Sequence, residues 1–402
     1  MAGEWIEQTI GDVATVVGGG TPSTKDPDNF NGEIPWLTPK DLSGYPFRFI
    51  SRGERNISQK GYNSSNAKLV PKGSVLLTTR APVGYVAIAS NPVTTNQGFH
   101  SLVLKDGYNS EFVYYLLKGH TEYLCSNATG TTYGELSGSA LKRLKFRFPP
   151  LTHQRAIACI LGALDDKIEL NRRMNETLEQ IAQAIFKKWF IEPTKNGKLP
   201  EGWREGTLGE TITIHDAKRI PLSGRERFNR KGKYPYYGAA SVMDYVDDYL
   251  FDGVYVLIGE DGSVINTDDT PVLQYVWGQF WVNNHAHVLT GRSGVSVEHL
   301  FLFLKNVNIR PFVTGAVQPK LNQANLCRIP FVLSPEPVNQ QFASLINPFF
   351  TRYRANADQS RTLAALRDAL LPKLLSGELR VPDAEKICAR GASALGGMER
   401  CL

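Results

Sequence analysis

The sequence predicts an α+β protein in which two pseudo-symmetric domains are joined by two long antiparallel coiled-coil helices. The first observation behind this prediction is an internal repeat: Leu136 returns as Leu321, an offset of 185 residues (321 minus 136). A repeat of this length exceeds the roughly 20–50 residues of a solenoid unit, so it is a whole domain used twice. The second observation is that each copy runs on into a helical heptad pattern. The same offset relates Leu141 and Leu326, Arg143 and Arg328, Phe146 and Phe331, Pro150 and Pro335, and Lys188 and Lys373.

Composition sets the broad class of the protein. The chain has 402 residues, of which 42% are apolar and 21% charged, as expected for a globular protein of two or three domains. No apolar run approaches 18 residues, and the acidic N-terminus does not resemble a signal peptide. The five cysteines form no Cys-x-x-Cys pair, which argues against a zinc or redox site. Scattered cysteines without an export signal predict a reducing cytoplasm, and the lack of a long apolar run predicts no membrane partner. A net charge of +6 is compatible with nucleic-acid binding.

Two segments consist of short β-like runs bounded by glycine or proline: residues 1–150, here called domain 1, and residues 194–333, here called domain 2. Each contains an Asn-rich turn followed by a histidine, and then a short helical run. These features predict one α+β fold used twice. The matching residues are Asn96-Gln97, His100 and 112–118 in domain 1, and Asn283-Asn284, His287 and 299–305 in domain 2.

Residues 151–193 and 334–381 carry apolar residues at alternating steps of four and three, which is typical of a coiled coil. Where Arg367 falls on this seam, we expect Leu366 to replace it. Pseudo-symmetry favours antiparallel pairing of the two helices. The alternative is two amphipathic helices, each packed on its own domain. The predicted seam consists of Ile157, Leu161, Leu164, Ile168, Asn171, Asn175, Leu178 and Ile185 in the first helix, and Phe342, Ile346, Phe349, Tyr353, Asn356, Leu363 and Leu370 in the second.

Helix-breaking residues predict where these helices end. Pro193 is expected to end the first helix, and Ser376-Gly377 the second. Pro348 predicts either a kink in the second helix or a start beyond it. Residues 382–402 are small, polar and Gly-rich, and we expect them to form a disordered tail.

No catalytic or metal-binding motif is recognisable. There is no phosphate-binding loop of the Gly-x-x-x-x-Gly-Lys type. Residues 347–350 (Asn-Pro-Phe-Phe) only approximate an adenine methyltransferase loop, and they lie on the heptad pattern. His285 and His287 have no third metal ligand nearby in sequence, which favours structural roles for both.

Basic and polar residues in both domains are candidates for DNA contact, because cations bind phosphates and arginine can bond guanine edges. The alternative for the denser cluster, in domain 2, is a solvated surface loop. The differing distributions predict two domains with different specificities. The candidates are Lys25, Thr38, Lys40, Thr79, Arg80, Asn96 and Gln97 in domain 1, and Lys218, Arg219, Arg225, Arg227, Arg230, Lys231, Tyr236 and Lys320 in domain 2.

Taken together with the repeat and the heptad pattern, these residues give a sequence that resembles the specificity subunit of a type I restriction–modification system. The resemblance covers residues 4 to about 381, and its segments occur in the family's order. They include Gly20-Thr21-Pro22-Ser23, Asn96-Gln97-Gly98-Phe99, Leu164-Asp165-Asp166-Lys167-Ile168, Tyr234-Pro235-Tyr236-Tyr237-Gly238 and Leu370-Leu371-Pro372-Lys373-Leu374.

The resemblance implies two target-recognition domains, each binding one half of a bipartite sequence in double-stranded DNA, with a coiled coil that fixes the half-site separation. It also implies a non-catalytic subunit that docks two methyltransferase subunits and is joined by restriction subunits. No cofactor is then expected in this chain, since S-adenosylmethionine belongs to the methyltransferase subunit and ATP with magnesium to the restriction subunit. Two alternatives remain at this stage. One is a free-standing DNA-binding protein or the recognition part of a related methyltransferase system. The other is a scaffold whose domains bind protein.

Overall fold

The structure is a computed structural model that describes residues 5–130, 134–195, 197–315 and 317–381. The predicted tail at 382–402 lies outside the described residues. The chain divides into two compact units: unit 1 is Met1–Asn171 with Asp358–Leu402, and unit 2 is Arg172–Ala357. Each unit therefore joins one predicted domain to part of both predicted helices, whereas the sequence prediction treated the helices as separate segments.

Domain 1 contains a five-stranded sheet in the order β2-β9-β6-β7-β4, a three-stranded sheet in the order β5-β3-β8, and the pair β1-β10. Its elements in chain order are β1 (Ile6–Thr9), α1 (Ile10–Val13), β2 (Ala14–Gly18), β3 (Phe30–Leu37), α2 (Pro39–Leu42), β4 (Phe49–Ile50), β5 (Arg55–Ile57), α3 (Gln59–Asn63), β6 (Val75–Thr79), β7 (Val83–Ala89), β8 (Thr94–Thr95), β9 (Phe99–Leu104), α4 (Ser110–Gly119), α5 (Thr121–Ser126), α6 (Gly138–Arg143) and β10 (Lys145–Phe148).

Strand β6 shows why domain 1 needs a continuous apolar run at its centre. Successive side chains of a strand point to opposite faces of the sheet. Val75 and Leu77 accordingly pack in one core, with the helix α4, and Leu76 packs in another. All five residues of β6 are buried, because both faces of the sheet are covered.

The first long helix, α7 (Leu151–Phe186), follows domain 1. Its last turns change to a π-helical segment at Lys187–Ile191 and a 3-10 turn at Glu192–Thr194, which contains Pro193. The α-helix proper therefore ends before Pro193, and the helical winding continues through this proline. The continuous helical segment ends at Thr194, so the prediction that the helix ends at Pro193 is confirmed to within one residue.

Domain 2 contains a six-stranded sheet in the order β12-β17-β15-β16-β13-β14, and the pair β11-β18. Its elements are β11 (Arg204–Thr207), β12 (Ile212–Ile214), α8 (Gly224–Asn229), β13 (Lys231–Tyr237), β14 (Val242–Val246), β15 (Phe251–Gly259), β16 (Leu273–Val282), β17 (Ala286–Gly291), α9 (Val297–Leu304), α10 (Gln323–Cys327) and β18 (Pro330–Leu333). The second long helix, α11 (Glu336–Ser376), follows.

Matching hydrogen bonds confirm that the two domains are built alike. The amide of Leu136 donates to the carbonyl of Thr79 at 2.9 Å, and the amide of Leu321 donates to the carbonyl of Glu260 at 2.8 Å. Strand β13 runs parallel to β16 as β3 runs parallel to β8. Thr79 and Glu260 therefore occupy equivalent positions, and the α+β prediction with pseudo-symmetric domains is confirmed.

Helix α11 runs without a break through Pro348, so the predicted alternative of a later start was wrong. It ends at Ser376, where Gly377 has φ +77°, a left-handed conformation that favours glycine after a helix. No helix among the described residues is long and apolar enough to cross a membrane.

The helices pair in antiparallel fashion within each unit. In unit 1, Asp165 accepts a hydrogen bond from Arg367 at 2.5 Å, and Asn171, further along α7, bonds Ser360 at 3.2 Å. In unit 2, the side-chain amide of Asn356 donates to Oδ1 of Asn175 at 2.9 Å. Ascending residues of α7 thus meet descending residues of α11, as predicted.

The predicted seam residues are all buried or half-buried. The sequence prediction of Leu366 in place of Arg367 was incomplete, because Arg367 stays in the interface through its ion pair with Asp165. The buried positions are Ile157, Leu161, Leu164, Asn171, Phe342, Ile346, Asn356, Leu363 and Leu370, and the half-buried ones are Ile168, Asn175, Leu178, Ile185, Phe349 and Tyr353.

Candidate nucleic-acid interface

In domain 1, several predicted residues meet around the turn at Asn96–Gly98. The carbonyl of Gly98 accepts a hydrogen bond from the amide of Thr79 at 2.8 Å. The side-chain oxygen of Asn96 accepts from the amide of Gly98 at 2.8 Å, which fixes the turn. Gln97 is exposed at its tip, where its side-chain oxygen accepts from the hydroxyl of Thr21.

Glycines let the segment at residues 18–21 lie directly against this turn. A Cβ atom on Gly19 would lie 2.0 Å from the carbonyl oxygen of Asn96. One on Gly20 would lie 2.3 Å from the amide nitrogen of Ala67. The Gly-rich run is therefore a close-packing feature that presents Thr21 beside Gln97.

Two domain 1 candidates have structural roles. Thr79 is fully buried (0% exposed), and its hydroxyl lies 2.9 Å from the ring of His100. Thr38 caps α2, its hydroxyl donating to Asp41 at 2.7 Å. Because Thr79 is buried, the prediction that it contacts DNA is corrected to a role in supporting the turn region. Thr38 is half-buried, and its contact with DNA stays a prediction. The side-chain oxygen of Asn96 is used within the turn.

Among the predicted DNA-contacting cations of domain 1, Lys25 and Lys40 are exposed and Arg80 is half-buried. Lys40 pairs with Glu54 at 2.9 Å, and this hydrogen bond raises the pKa of the lysine. Arg80 lies 3.9 Å from Glu135 and is the first residue of the connection between β6 and β7. The next residue, Ala81, has φ +53°, a strained conformation for a residue with a side chain, and such strain is concentrated at functional sites.

In domain 2, the segment at residues 216–223 packs over the sheet. The indole nitrogen of Trp281 donates to the carbonyl of Ile220 at 2.7 Å. The hydroxyl of Tyr236 accepts from the amide of Leu222 at 2.8 Å. Because Tyr236 is buried by these contacts, the prediction that it binds DNA is corrected to a role in holding this segment.

Arg219 belongs to a buried ionic cluster. Its guanidinium lies 3.3 Å from Asp216 and 2.8 Å from Glu260. The ring of His287 contacts Asp216 through Nδ1 at 2.5 Å and the carbonyl of Leu321 through Nε2 at 2.7 Å. Burial alone would raise the pKa of Asp216, but the hydrogen bond and charge of His287 hold it below its usual value.

The acids of this cluster were missed in the sequence because they are distant from His287 along the chain. Ligand atoms of Asp216, Glu260 and His287 lie within 4.8 Å of one another, a spacing that a metal ion would accept. The two ring nitrogens of His287 already contact Asp216 and the carbonyl of Leu321. Arg219 supplies a counter-charge to both carboxylates. Arg219 is therefore corrected from a DNA contact to part of the scaffold.

Acids from β14 and its following turn pair with three further predicted cations. Arg227 lies 3.4 Å from Asp244, which also pairs with Lys231. Arg230 bonds Asp247 at 2.9 Å. The sequence prediction treated these cations as unpaired, whereas the fold brings Asp244 and Asp247 onto them; their contact with DNA stays a prediction.

Three other cations of this segment, Lys218, Arg225 and Lys233, are exposed and have no carboxylate within 4.0 Å in the described part of the chain. Beside Arg225 on the same short helix, Phe228 is 74% exposed. On the edge strand β14, Met243 and Tyr245 are exposed as well. This apolar surface could not be predicted from the sequence, because helix α8 is too short to show a periodic pattern.

Charge is reversed between the domains at equivalent positions. An isolated antiparallel bridge pairs Thr129 with Glu135 in domain 1, and its counterpart pairs Thr314 with Lys320 in domain 2. Lys320, 3.9 Å from Glu260, thus replaces Glu135. Next to the equivalent pair Thr79 and Glu260, Asp261 replaces Arg80. One scaffold therefore presents two different charge patterns.

Comparison with known proteins agrees with this geometry. The family model for the type I restriction modification DNA specificity domain matches residues 2–180 and again 200–362. The type I restriction enzyme MjaIX specificity subunit of Methanocaldococcus jannaschii is 36% identical over 416 residues, which cover 94% of each chain. The EcoprrI specificity subunit of Escherichia coli is 25% identical over 89% of this chain and 90% of that protein.

A solved structure shows the same fold. The S subunit of a type I restriction–modification system from M. genitalium has a TM-score of 0.57 at 20% identity, covering 92% of this chain and 96% of that one. Both domains match a single family model, and the archaeal relative aligns over nearly the whole chain. This chain therefore belongs to the family of type I restriction–modification specificity subunits, as a DNA sequence-recognition subunit.

Proposed function

We propose that domain 1 and domain 2 each recognise one half of a bipartite sequence in double-stranded DNA. The observation that carries this proposal is the charge reversal on a shared scaffold: Arg80 and Glu135 in one domain stand where Asp261 and Lys320 stand in the other. Because the scaffolds match, each domain offers the same kind of surface to DNA. Because the groups differ, the two surfaces favour different bases.

In domain 1, the solvent-accessible groups around the turn supply base contacts. Arg80 can form paired hydrogen bonds with a guanine edge, and the amide of Gln97 can do so with adenine. Both sit on short connections, which are fixed by the buried Thr79 and by the half-buried Asn96. Lys25 supplies phosphate contact, which adds affinity without sequence preference.

In domain 2, Lys218, Arg225 and Lys233 are the phosphate contacts, because they are the exposed cations of this segment without a carboxylate neighbour among the described residues. Lys320 and Asp261 occupy the base-contacting position. Asp261 is half-buried and contacts the ring of His285, and its carboxylate accepts hydrogen bonds only, which suits the amino group of cytosine.

The long helices have two further roles in this proposal. Their antiparallel seam fixes the half-site separation. Their exposed sides dock two methyltransferase subunits, and restriction subunits join the assembly. Apolar side chains exposed on the helices, Leu170, Ile181 and Leu345, suit such contacts. This chain is then non-catalytic and works in the cytoplasm. S-adenosylmethionine is held by the methyltransferase subunits, and ATP with magnesium by the restriction subunits.

Selection of bound duplexes from a random pool tests the proposal. The full chain, assembled with its modification subunits, should enrich a sequence of two short conserved blocks separated by a spacer of fixed length. Arg80→Ala should relax the bases of one block, and Lys320→Ala those of the other, with each effect confined to its own half. Lys145→Ala, which removes an exposed pair with Glu7, is the control and should change neither block.

Three outcomes would contradict the proposal. A single continuous block would remove the bipartite assignment. Equal relaxation of both blocks by Arg80→Ala would show that the domains do not act separately. No enrichment, with affinity insensitive to salt, would favour a scaffold whose domains bind protein, since DNA affinity falls steeply as salt rises.

A further inference from the structure

Domain 1 is fixed to both long helices of unit 1 by a network of charged groups, here called the ionic joint, whose centre is buried and whose outer carboxylates reach solvent. At its centre, the side chain of Arg48 is only 6% exposed. Its guanidinium donates to Glu111 at 2.6 Å and to the hydroxyl of Tyr115 at 3.3 Å, and it pairs with Asp166 of α7. The joint consists of Arg48, Glu111, Tyr115, Asp165, Asp166 and Arg367.

A second arm of the joint reaches α11. Tyr115 of α4 donates to Asp165 of α7 at 2.6 Å, and Arg367 of α11 donates to the same carboxylate at 2.5 Å. Burial and the charge of Asp165 raise the pKa of Tyr115, so its hydroxyl keeps the proton that it donates. One carboxylate therefore ties the domain helix to both long helices.

Gly162 of α7 leaves the space that the joint needs. A Cβ atom at this position would lie 2.4 Å from Nη1 of Arg48 and 3.3 Å from the carboxylate of Glu111. Glycine within a helix is unfavourable relative to alanine, so its presence on the face toward Arg48 fits a packing requirement. The backbone of Arg48 is itself held in domain 1, where its carbonyl accepts from the amide of Ile88 at 2.7 Å.

In unit 2, different side chains join domain 2 to the long helices. Glu298 of α9, the counterpart of Glu111, lies 3.1 Å from Arg354 of α11. Tyr275 donates to Glu298 at 2.7 Å, and Lys305 pairs with Glu179 of α7. Each domain is thus fixed to the helices by its own directional contacts, so its angle is separately set within its unit.

We propose that the ionic joint sets the angle of domain 1 on the helices, and thereby the spacer length that the protein accepts, without contacting any base. This inference rests on the proposed bipartite recognition. A domain of about 150 residues has a radius of gyration of about 15 Å, so a turn of about 13° at its base shifts its centre by about 3.4 Å, one base pair. Arg48 is accordingly a positioning residue for spacer length.

Methylation of a duplex series tests this inference. The two half-sites are placed at the preferred spacer and at spacers one and two base pairs shorter or longer, and the full assembly is assayed on each. Arg48→Met should lower the preference for the correct spacer over its neighbours by about tenfold, a typical coupling between sites, and leave both half-site sequences unchanged. Gly162→Ala should do the same, because the new methyl group displaces the guanidinium.

Two further variants separate positioning from simple loss of stability. Arg147→Met makes the same chemical change at an exposed position of β10 and should leave the spacer preference intact. Arg48→Lys keeps one charged contact and should restore part of the preference. If Arg48→Met does not fold, the spacer preference of Gly162→Ala tests the inference instead. Alanine favours the helix, and its methyl group fills only the space that the Arg48 guanidinium occupies.

An unchanged spacer profile with uniformly lower methylation would overturn the inference, as would a change in half-site bases. A wild-type assembly that methylates no split sequence would overturn the proposed function and the inference with it. A wild-type assembly with a normal split target, together with unaffected variants, would overturn the inference alone.

Discussion

Cations of domain 2 fall into two groups that their sequence positions do not distinguish. Arg227, Arg230 and Lys231 are held by acids, whereas Lys218 and Arg225 are not. The sequence shows how many cations a segment has, but the acids approach from β14, which pairs with β13 only in the folded sheet. Predicting DNA contacts from charge density alone therefore overestimates the free charge of this surface.

This division predicts different outcomes for neighbouring substitutions. Lys218→Ala and Arg225→Ala should each weaken binding to all DNA sequences and reduce the slope of log affinity against log salt by about 0.9, the value for one phosphate contact. Arg227→Ala should instead lower the stability of domain 2, because it removes a partner of Asp244 and of the Leu222 carbonyl. Fluorescence anisotropy over a salt series and denaturant unfolding measure the two effects.

The control is Lys145→Ala, whose exposed pair with Glu7 lies outside this surface. The distinction between paired and unpaired cations would be contradicted if Arg227→Ala reduces the slope of log affinity against log salt as much as Arg225→Ala does, with no change in the free energy of unfolding.

A second prediction at this scale concerns His299, which is completely buried among Phe186, Phe190 and Phe342. Burial lowers the pKa of His299 from 6.5 to about 3. Between these values only the unfolded chain takes up the proton, so stability is lost as the pH falls through this window. The loss is about 2 kcal/mol at pH 5.

His299→Leu should therefore make the unfolding free energy of domain 2 less sensitive to acid, measured by urea unfolding at pH 7 and pH 5. His153→Leu, at a half-buried position on α7, serves as the matched control. Equal acid sensitivity in wild type and His299→Leu would show that the buried imidazole is not responsible.

Among the elements, the long helices were the most predictable part of the fold. Their heptad pattern is local and repeats over many turns, so the sequence of one helix alone predicts its approximate ends and its interface residues. Arg367 could not be placed in this way, because its partner Asp165 lies on the other helix. The π-helical segment at Lys187–Ile191 had no signal in the sequence pattern.

The asparagines at the seam predict a measurable coupling. Asn356→Leu removes the 2.9 Å hydrogen bond to Asn175 and should destabilise unit 2 by about 1 kcal/mol, because the partly buried side-chain oxygen of Asn175 loses this donor. Replacing Asn175 by leucine as well should recover this loss, since two apolar groups then face each other. A double-mutant cycle by denaturant unfolding measures the coupling, and additive single effects would argue against a direct bond.

The helix pair also predicts spacer length. Removing one heptad from each helix, at positions that face each other, should shorten the spacer between half-sites and leave both half-site sequences unchanged. Removing a heptad from α7 alone should abolish binding, because the seam then loses its register. Selection from random duplexes gives both results, and an unchanged spacer in the paired deletion would refute the role of the helices.

For the whole molecule, the repeat at an offset of 185 residues was enough to predict two similar α+β domains and their antiparallel helices. The sites were harder to predict than the fold. Thr79 and Tyr236 are of residue types that contact DNA, yet both are buried beneath the surfaces they support. The exposed Phe228 and the acids around His287 depend on contacts between distant segments, and no pattern in one stretch of sequence reveals such contacts.

Adenine methylation in cells is the most direct test of the proposal that this chain directs a methyltransferase to a bipartite DNA target. The methylation pattern of a cell that expresses this chain with its modification subunit is compared with that of a cell that lacks this chain. Two domains with different surfaces predict a new split motif, methylated once in each half and separated by a constant spacer. No new methylation, with both proteins soluble and associated, would contradict the claim that this chain directs a methyltransferase to a bipartite DNA target.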